Sequence, residues 1–162
     1  MADVQSGIKG VRLDTWQVSL QVEHPDPSNN AMLDYGIWDT RTGGEVDSEE
    51  TLYHPGGMKD PYSLGGRTTP GQLTLSRNYR LGRDHDGPSG SPGIQQLIDA
   101  VGISRVTVTA TPMDRYKNLS GRSIVWKGTL KTLTLPEHNS ESTGEAGMIE
   151  LVCSIDNKPS AT

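Results

Sequence analysis

Apolar and polar residues alternate without interruption over residues 15–24, and this regularity limits the segment to one kind of structure. Alternation with a period of two is typical of a β-strand with one face in the core and the other in water. The apolar side carries Trp16, Val18, Leu20 and Val22, and the polar side carries Gln17, Ser19, Gln21 and Glu23.

Further strand patterns occur over residues 31–40, 72–80, 105–111, 124–135 and 148–156. In the long run 124–135 the apolar side changes from Trp126 and Leu130 to Leu133 and Leu135, which predicts a bulge or bend. The pair Gly43-Gly44 predicts a hairpin turn, followed by a short return strand over residues 45–53.

One segment has the period of a helix. Ile94, Leu97, Ile98 and Val101 fall at i, i+3, i+4 and i+7, so they form one apolar stripe for packing. Ser91 is a suitable N-cap, Pro92 suits the first turn, and Gly102 suits the left-handed residue that ends a helix. The pattern predicts a helix over about residues 91–102.

The composition alone leaves order and disorder open. Leu, Ile and Val make up about a fifth of the 162 residues and Phe is absent, but the net charge is only −5. Because the apolar residues cluster in six or seven strands and one helix, we predict a folded, mainly β chain with small packed sheets. We expect a single domain over residues 1–156, with an N-terminal arm over about 1–12 and a loose tail over 157–162.

The segment 54–71 is glycine-rich and shows no sustained periodicity. Structureless stretches beyond about 12–15 residues are usually functional or disordered. Its apolar residues need a surface to pack against, and that surface can belong to a neighbouring subunit. We therefore interpret 54–71 as a binding loop.

Several functional classes are excluded or weak. No apolar run is long enough for a membrane helix, residues 1–10 lack the apolar core of a secretory signal, and an isoelectric point near 5.3 argues against tight binding to DNA phosphates. The run Asp84-His85-Asp86 could supply metal ligands, but a polar loop is the favoured interpretation. Cys153 is predicted to be a buried filler and the tryptophans to be core residues. No catalytic, cofactor or metal site is predicted.

Several short motifs together resemble the bacteriophage tail tube (major tail) proteins, most closely those of phages that infect actinobacteria. The matching motifs are Ile37-Trp38-Asp39 before Gly43-Gly44-Glu45, Tyr53-His54-Pro55-Gly56-Gly57-Met58, Ser63-Leu64-Gly65-Gly66, Leu73-Thr74-Leu75-Ser76-Arg77 and Trp126-Lys127-Gly128-Thr129-Leu130-Lys131. Together with the alternating strand around Trp16, the helix, an acidic turn and the final strand, these motifs extend the resemblance over about residues 8–156.

The resemblance implies a β-sandwich or half-barrel of two small antiparallel sheets with one flanking helix over about 91–102 and a long glycine-rich loop. It also implies a structural role in a virion, with rings of six subunits that join their sheets into a β-barrel around a channel. The rings stack, DNA passes through the channel without specific binding, and the expected partners are further copies, a tape measure protein, a tail terminator and distal tail or baseplate proteins. No membrane is implied. The implied ring-to-ring contacts lie in the loop, at Tyr53, Pro55, Gly56, Gly57, Met58, Tyr62, Leu64, Gly65 and Gly66.

Three other functions remain open at this stage. The chain can be a tube subunit of a contractile injection system, which would share the same fold and ring. It can be a β-sandwich module that binds carbohydrate or protein through the loop and exposed tryptophans. A small hydrolase that uses Asp84, His85 and Asp86 is the third.

Overall fold

The computed structural model describes residues 16–87, 93–114, 116–141 and 143–162, and strands dominate them. One short helix, α1, covers Ile94–Ala100, and one π-helical turn covers Leu81–His85. The strands are β1 (Trp16–Glu23), β2 (Met32–Trp38), β3 (Thr40–Gly43), β4 (Val46–Ser48), β5 (Leu52–Tyr53), β6 (Tyr62–Ser63), β7 (Thr68–Pro70), β8 (Gln72–Asn78), β9 (Arg105–Pro112), β10 (Ile124–Thr134), β11 (Met148–Ile155) and β12 (Ser160–Ala161).

The main sheet is antiparallel throughout and follows the order β2-β1-β9-β10-β11-β8-β3. Its two halves share β10, which pairs with β9 along its first half and with β11 along its second half. The two halves are connected a second time where the chain passes from β2, in one half, to β3, in the other, through Asp39 alone. Strands that move from one half to the other in this way make the corners of an open barrel or sandwich. The prediction of a mainly β fold is confirmed.

The core fills the space between the two halves of the sheet. Every second residue of β1, β8, β9 and β11 is buried there, as the alternation predicts. The register between β10 and β11 shifts between Leu130 and Thr132, which confirms the predicted bulge. The bulge is needed because the apolar side of β10 changes at this point.

Helix α1 covers part of the core but differs in detail from the predicted stripe. Leu97 and Ala100 are buried, Ile94 and Val101 are half-buried, and Ile98 is exposed, so the inclusion of Ile98 in the packing face was wrong. The helix begins after Gly93, and its buried face is centred between Leu97 and Ala100. At roughly 100° per residue, Ile98 lies about 130° around the helix axis from that centre, outside the buried face. Gly102 has φ of +79°, which confirms the left-handed residue after the helix. Ser91 and Pro92 lie outside the described residues.

Two sequence predictions about connections are corrected. Gly43-Gly44 does not close a hairpin, because β3 pairs with β8 and the chain then leaves the main sheet. The end of the predicted loose tail returns to the sheet, where β12 pairs with the first two residues of β10. Thr162 and Ser123 also exchange backbone hydrogen bonds of 2.9 and 3.0 Å. The predicted N-terminal arm, 1–12, lies outside the described residues.

Candidate functional site

Residues 45–70 form a two-stranded antiparallel arm that extends the β3–β8 pair away from the main sheet. Near the base, β4 pairs with β7, and farther out β5 pairs with β6. Between these pairs the Glu49 amide donates to the Arg67 carbonyl at 3.0 Å, and the Leu64 amide donates to the Thr51 carbonyl at 2.8 Å. The prediction of a loop over 54–71 is therefore wrong for its second half, because residues 62–70 return along 46–53 as a ladder.

The two strands approach so closely that one position admits only glycine. A Cβ atom added at Gly66 would lie 1.7 Å from the backbone oxygen of Glu49. At the base, Gly43 and Gly44 have φ of +80° and +79°, a conformation that glycine adopts without strain. These glycines let the chain leave the main sheet and run back as a narrow ribbon.

Apolar side chains along the arm are exposed to solvent. The predicted contact residues Tyr53, Met58, Tyr62 and Leu64 are all exposed, and Val46 and Leu52 join them. Tyr53 and Tyr62 face each other across the ladder, with ring centroids 5.3 Å apart. The remaining predicted contact residues are half-buried Pro55 and exposed Gly56, Gly57, Gly65 and Gly66.

The tip of the arm holds its most exposed side chain. Met58 has φ of +56° in the turn that follows Gly57, and its side chain is fully exposed. Positive φ is uncommon outside glycine and often marks a position under functional constraint. The arm therefore presents apolar groups that the described residues of the subunit leave exposed.

Sequence reasoning missed the one buried ion pair among the described residues. Arg77 on β8 bonds through Nη2 to the Asp84 carboxylate of the π-helical turn, and both side chains are buried. Its Nη1 donates to the carbonyls of Tyr35 and Ile37 on β2, the latter at 3.2 Å. The guanidinium also lies 4.4 Å from the centroid of the Trp38 ring.

Arg77 thus joins the two ends of the main sheet. Strand β2 lies at one edge of the main sheet, and the backbone carbonyls of an edge strand can pair with another chain. The Arg77 guanidinium occupies two of these carbonyls, those of Tyr35 and Ile37. The sequence carried one signal for this role, because Arg77 shares the apolar side of β8 with Leu73 and Leu75. Its partner could not be identified from the sequence, since Asp84 reaches it through a π-helical turn.

The hydrolase interpretation required Asp84, His85 and Asp86, but Asp84 is buried in the ion pair with Arg77. Asp84 also accepts a hydrogen bond of 2.9 Å from the Arg80 amide. His85 Nδ1 lies 2.7 Å from the Tyr79 hydroxyl. Burial raises the pKa of Tyr79, and the charges of Asp84 and Asp86 raise it further. Within the described residues, no three His, Cys, Asp or Glu side chains are grouped to hold a metal ion.

The predicted core roles of Cys153 and of two tryptophans are confirmed. Cys153 is buried, and burial raises the pKa of its thiol to about 12. Trp38 and Trp126 are buried, and Trp16 is half-buried at the edge of the core. The binding-module interpretation needed exposed tryptophans, and the structure does not provide them.

The outer face of the main sheet is rich in threonine and other uncharged polar residues. Across β1 and β9, Gln17 is opposite Thr111, Ser19 is opposite Thr109, and Gln21 is opposite Thr107. Thr107 is in turn opposite Lys127 of β10. The face is therefore a broad polar surface with few charges. No helix in the described part of the chain is long and apolar enough to cross a membrane.

Comparison with known proteins places this fold among tubes of phage-like tails and contractile injection systems. The chain is similar to a chain of the sheath–tube complex of an extracellular contractile injection system (PVC) in the extended state, with 12% identity, a TM-score of 0.66 and coverage of 100% of this chain and 99% of that one. It is also similar to a chain of the anti-feeding prophage baseplate, 6-fold symmetrised, with 11% identity, a TM-score of 0.68 and coverage of 95% and 96%.

The third similarity is to the SPP1 tail tube, with 10% identity, a TM-score of 0.52 and coverage of 94% of this chain and 80% of that one. No protein-family model and no curated protein matches the sequence. The fold is therefore that of a tail tube protein, as the resemblance in the sequence implied. The specific likeness to tubes of actinobacterial phages stays a prediction.

Proposed function

We propose that this chain is a structural subunit of a tail tube, in which rings of six copies stack into a hollow cylinder. The observation that carries the proposal is the arm, a hydrogen-bonded ribbon whose apolar side chains are left exposed by every other described part of the chain. Monomeric proteins rarely expose apolar patches larger than a few hundred Å². An assembly of copies would cover these side chains.

Ring formation would also satisfy those edge groups of the main sheet that the Arg77 guanidinium does not occupy. The main sheet is open, and unpaired edges promote uncontrolled association unless they are covered or closed into a barrel. Six open sheets joined edge to edge would form one barrel with a central channel. The six-fold symmetry named for a similar chain supports this number of subunits.

The polar outer face of the sheet suits the wall of such a channel. On this face Lys127 stands among threonine, serine and glutamine, and Arg105 is paired with Asp156, so few free cations would be available to phosphates and DNA would slide along it. The expected partners are a tape measure protein within the tube, a tail terminator at one end and distal tail or baseplate proteins at the other. The proposed location is the virion, and the proposed role is structural and needs no catalysis or cofactor.

A tube subunit of a contractile injection system is the second candidate. The TM-scores of 0.66 and 0.68 against chains of contractile and anti-feeding systems exceed the 0.52 against the SPP1 tail tube. A sheath protein produced together with this chain would bind the outside of such a tube. Co-purification of this chain with a sheath protein from the same source would support this candidate.

Negative-stain electron microscopy of the concentrated, purified chain tests the main proposal. We expect annuli and hollow cylinders. A chain that remains monomeric at every concentration, and also when mixed with its own virion components, would refute the proposal.

A variant that lacks the arm tests whether the arm is needed for tube formation. The Gly71 amide donates to the Glu45 carbonyl at 2.7 Å, so the two strands of the arm are adjacent at its base. Replacement of residues 46–70 by Asn-Gly would therefore close a tight two-residue hairpin between Glu45 and Gly71 without moving the main sheet. We expect this variant to fold and to lose the ability to form cylinders, and cylinders of normal length would contradict the role of the arm.

A further inference from the structure

The charges in the last third of the chain are segregated by sign. Residues 115–136 contain five Lys or Arg and no Asp or Glu, whereas residues 137–157 contain five Asp or Glu and no Lys or Arg. Strand β10 ends close to the boundary between the two stretches. The turn before this strand is therefore basic and the loop after it is acidic, which gives the two ends of the strand opposite charge.

The basic turn, residues 113–123, is ordered by the Asp114 side chain. Asp114 Oδ1 accepts hydrogen bonds from the Tyr116 amide at 2.8 Å and from the Asn118 amide at 2.9 Å. The Lys117 amide donates to the Asp114 carbonyl at 3.0 Å, and Lys117 has φ of +65°. An Asp side chain that bonds to the amides after it fixes the backbone of a turn. The side chains of the basic turn are therefore presented from a defined backbone.

The basic turn presents both charge and apolar surface. The side chains of Tyr116 and Leu119 are 69% and 57% exposed, and those of Lys117 and Arg122 are exposed as well. Within the described residues, no ion pair involves Lys117 or Arg122. Cations beside exposed apolar groups suit an anionic peptide segment, because the charges select its sign and position while the apolar groups exclude water.

The acidic loop, residues 136–147, lies at the other end of β10. Glu137 and Glu141 are exposed, and no ion pair in the part of the chain that the structure describes involves either of them. The Tyr79 amide donates to the Gly147 carbonyl at 2.8 Å, which anchors the end of the loop. Strand β10 has 11 residues, so at about 3.3 Å per residue the acidic loop and the basic turn of one subunit are separated by roughly 35 Å along the strand. At this separation they do not neutralise each other.

We propose that the acidic loop of one copy docks on the basic turn of a neighbouring copy. This inference rests on the proposed function, because it identifies a charged contact between tube subunits that is separate from the arm. Surfaces of opposite sign at opposite ends of one strand are the arrangement for a head-to-tail contact, which repeats from copy to copy. A nucleic acid on the basic turn would leave the acidic loop uncovered, and the net charge of −5 would repel its phosphates. A second copy accounts for both surfaces.

Charge reversal on one surface and then on both tests the contact. One variant carries Lys117→Glu and Arg122→Glu, the second carries Glu137→Lys and Glu141→Lys, and the third carries all four changes. The four side chains are exposed, so all three variants should keep the native melting temperature. We expect the first two variants to need about tenfold more protein to form cylinders, because attractive pairs become like-charged pairs. In the third variant the signs are opposite again, so it should assemble within about twofold of the native concentration.

The matched control is Asp99→Lys, which reverses an exposed charge on α1 outside both surfaces and should leave cylinder formation unchanged. If the first two variants assemble like the native chain, or if the third is as defective as they are, the contact is refuted and the tube proposal stays intact. Short duplex DNA at low salt is the probe for the other occupant. Binding of this DNA that is lost in the Lys117→Glu, Arg122→Glu variant, while cylinders form normally, would overturn the contact in favour of a nucleic acid. If the native chain never assembles, both proposals are refuted.

Discussion

Replacement of Arg77 by Met tests whether the ion pair with Asp84 joins the two ends of the sheet. The side chains of Arg77 and Asp84 are only 5% and 3% exposed, so the pair is almost fully removed from water. Met keeps much of the aliphatic volume beside Trp38 but removes the cation. The carboxylate of Asp84 would then stay buried with the Arg80 amide as its one named donor.

The expected cost follows from the buried charge. Removal of one partner from a buried ion pair destabilises a protein by about 3–5 kcal/mol, mainly because the other charge is left without compensation. The carbonyls of Tyr35 and Ile37 would also lose their side-chain donor. For a chain of this length we expect the melting temperature to fall by about 10 °C or more, measured by circular dichroism.

Two further variants isolate the cause. In the double variant Arg77→Met, Asp84→Leu no charge remains buried, so most of the lost stability should return. Arg41→Met is the matched control, because Arg41 also lies over a tryptophan, 4.6 Å from the centroid of Trp126, but is only half-buried. Its cost should stay below about 1 kcal/mol. A melting temperature for Arg77→Met within about 2 °C of the native value would refute the reasoning.

Three other changes test the arm, the helix and the buried thiol. Gly66→Ala should block tube formation but leave the melting temperature of the domain unchanged, because the added Cβ would collide with the facing strand of the arm. Gly56→Ala is the control: nothing lies within 4 Å of its added Cβ, so this variant should form normal tubes when viewed by electron microscopy. Leu97→Asp should cost about 3 kcal/mol or more in urea unfolding, whereas Ile98→Asp on the exposed side of α1 should cost under about 1 kcal/mol, and equal costs would contradict the burial of Leu97. Burial raises the pKa of the Cys153 thiol from its ordinary value of 9.0 to about 12 in the folded state. As pH rises above 9, the thiol therefore ionises first in the unfolded chain. The stability that the neutral, buried thiol contributes should be lost between pH 9 and about 12. The native thiol should not react with a thiol reagent at pH 8 until the chain is unfolded, and rapid reaction of folded protein would show that it is accessible.

The parts of the fold that could be predicted from the sequence are those with one buried face. In β1 and β11 every second side chain is buried in the core. Burial of one face therefore explains both the alternation in the sequence and the strand in the structure. The bulge in β10 was predictable for the same reason, since an extra residue moves the apolar side chains back to the core. The helix was located by its period, but Ile98 satisfies that period and is still exposed.

Contacts that depend on one side chain, or on a strand of two residues, could not be predicted, because so few residues produce no recognisable pattern in the sequence. Strand β12 pairs with β10 through only two residues, Ser160 and Ala161, which have no apolar signal of their own. The π-helical turn places Asp84 against Arg77, and no residue spacing in the sequence specifies that turn. These features depend on the three-dimensional arrangement of β2, β8 and the turn after β8.

The arm was not predictable for a different physical reason. Neither of its faces is buried, so no core selects alternate residues, and its apolar side chains occur without a period. Its glycines are constrained by the ladder itself, as at Gly66, whereas Met58 and Leu64 contribute little to the stability of the isolated subunit. If a second copy supplies the missing face, changes at Met58 and Leu64 will reduce assembly while the melting temperature of the subunit stays constant. A fall in both together would mean that the arm packs on its own domain.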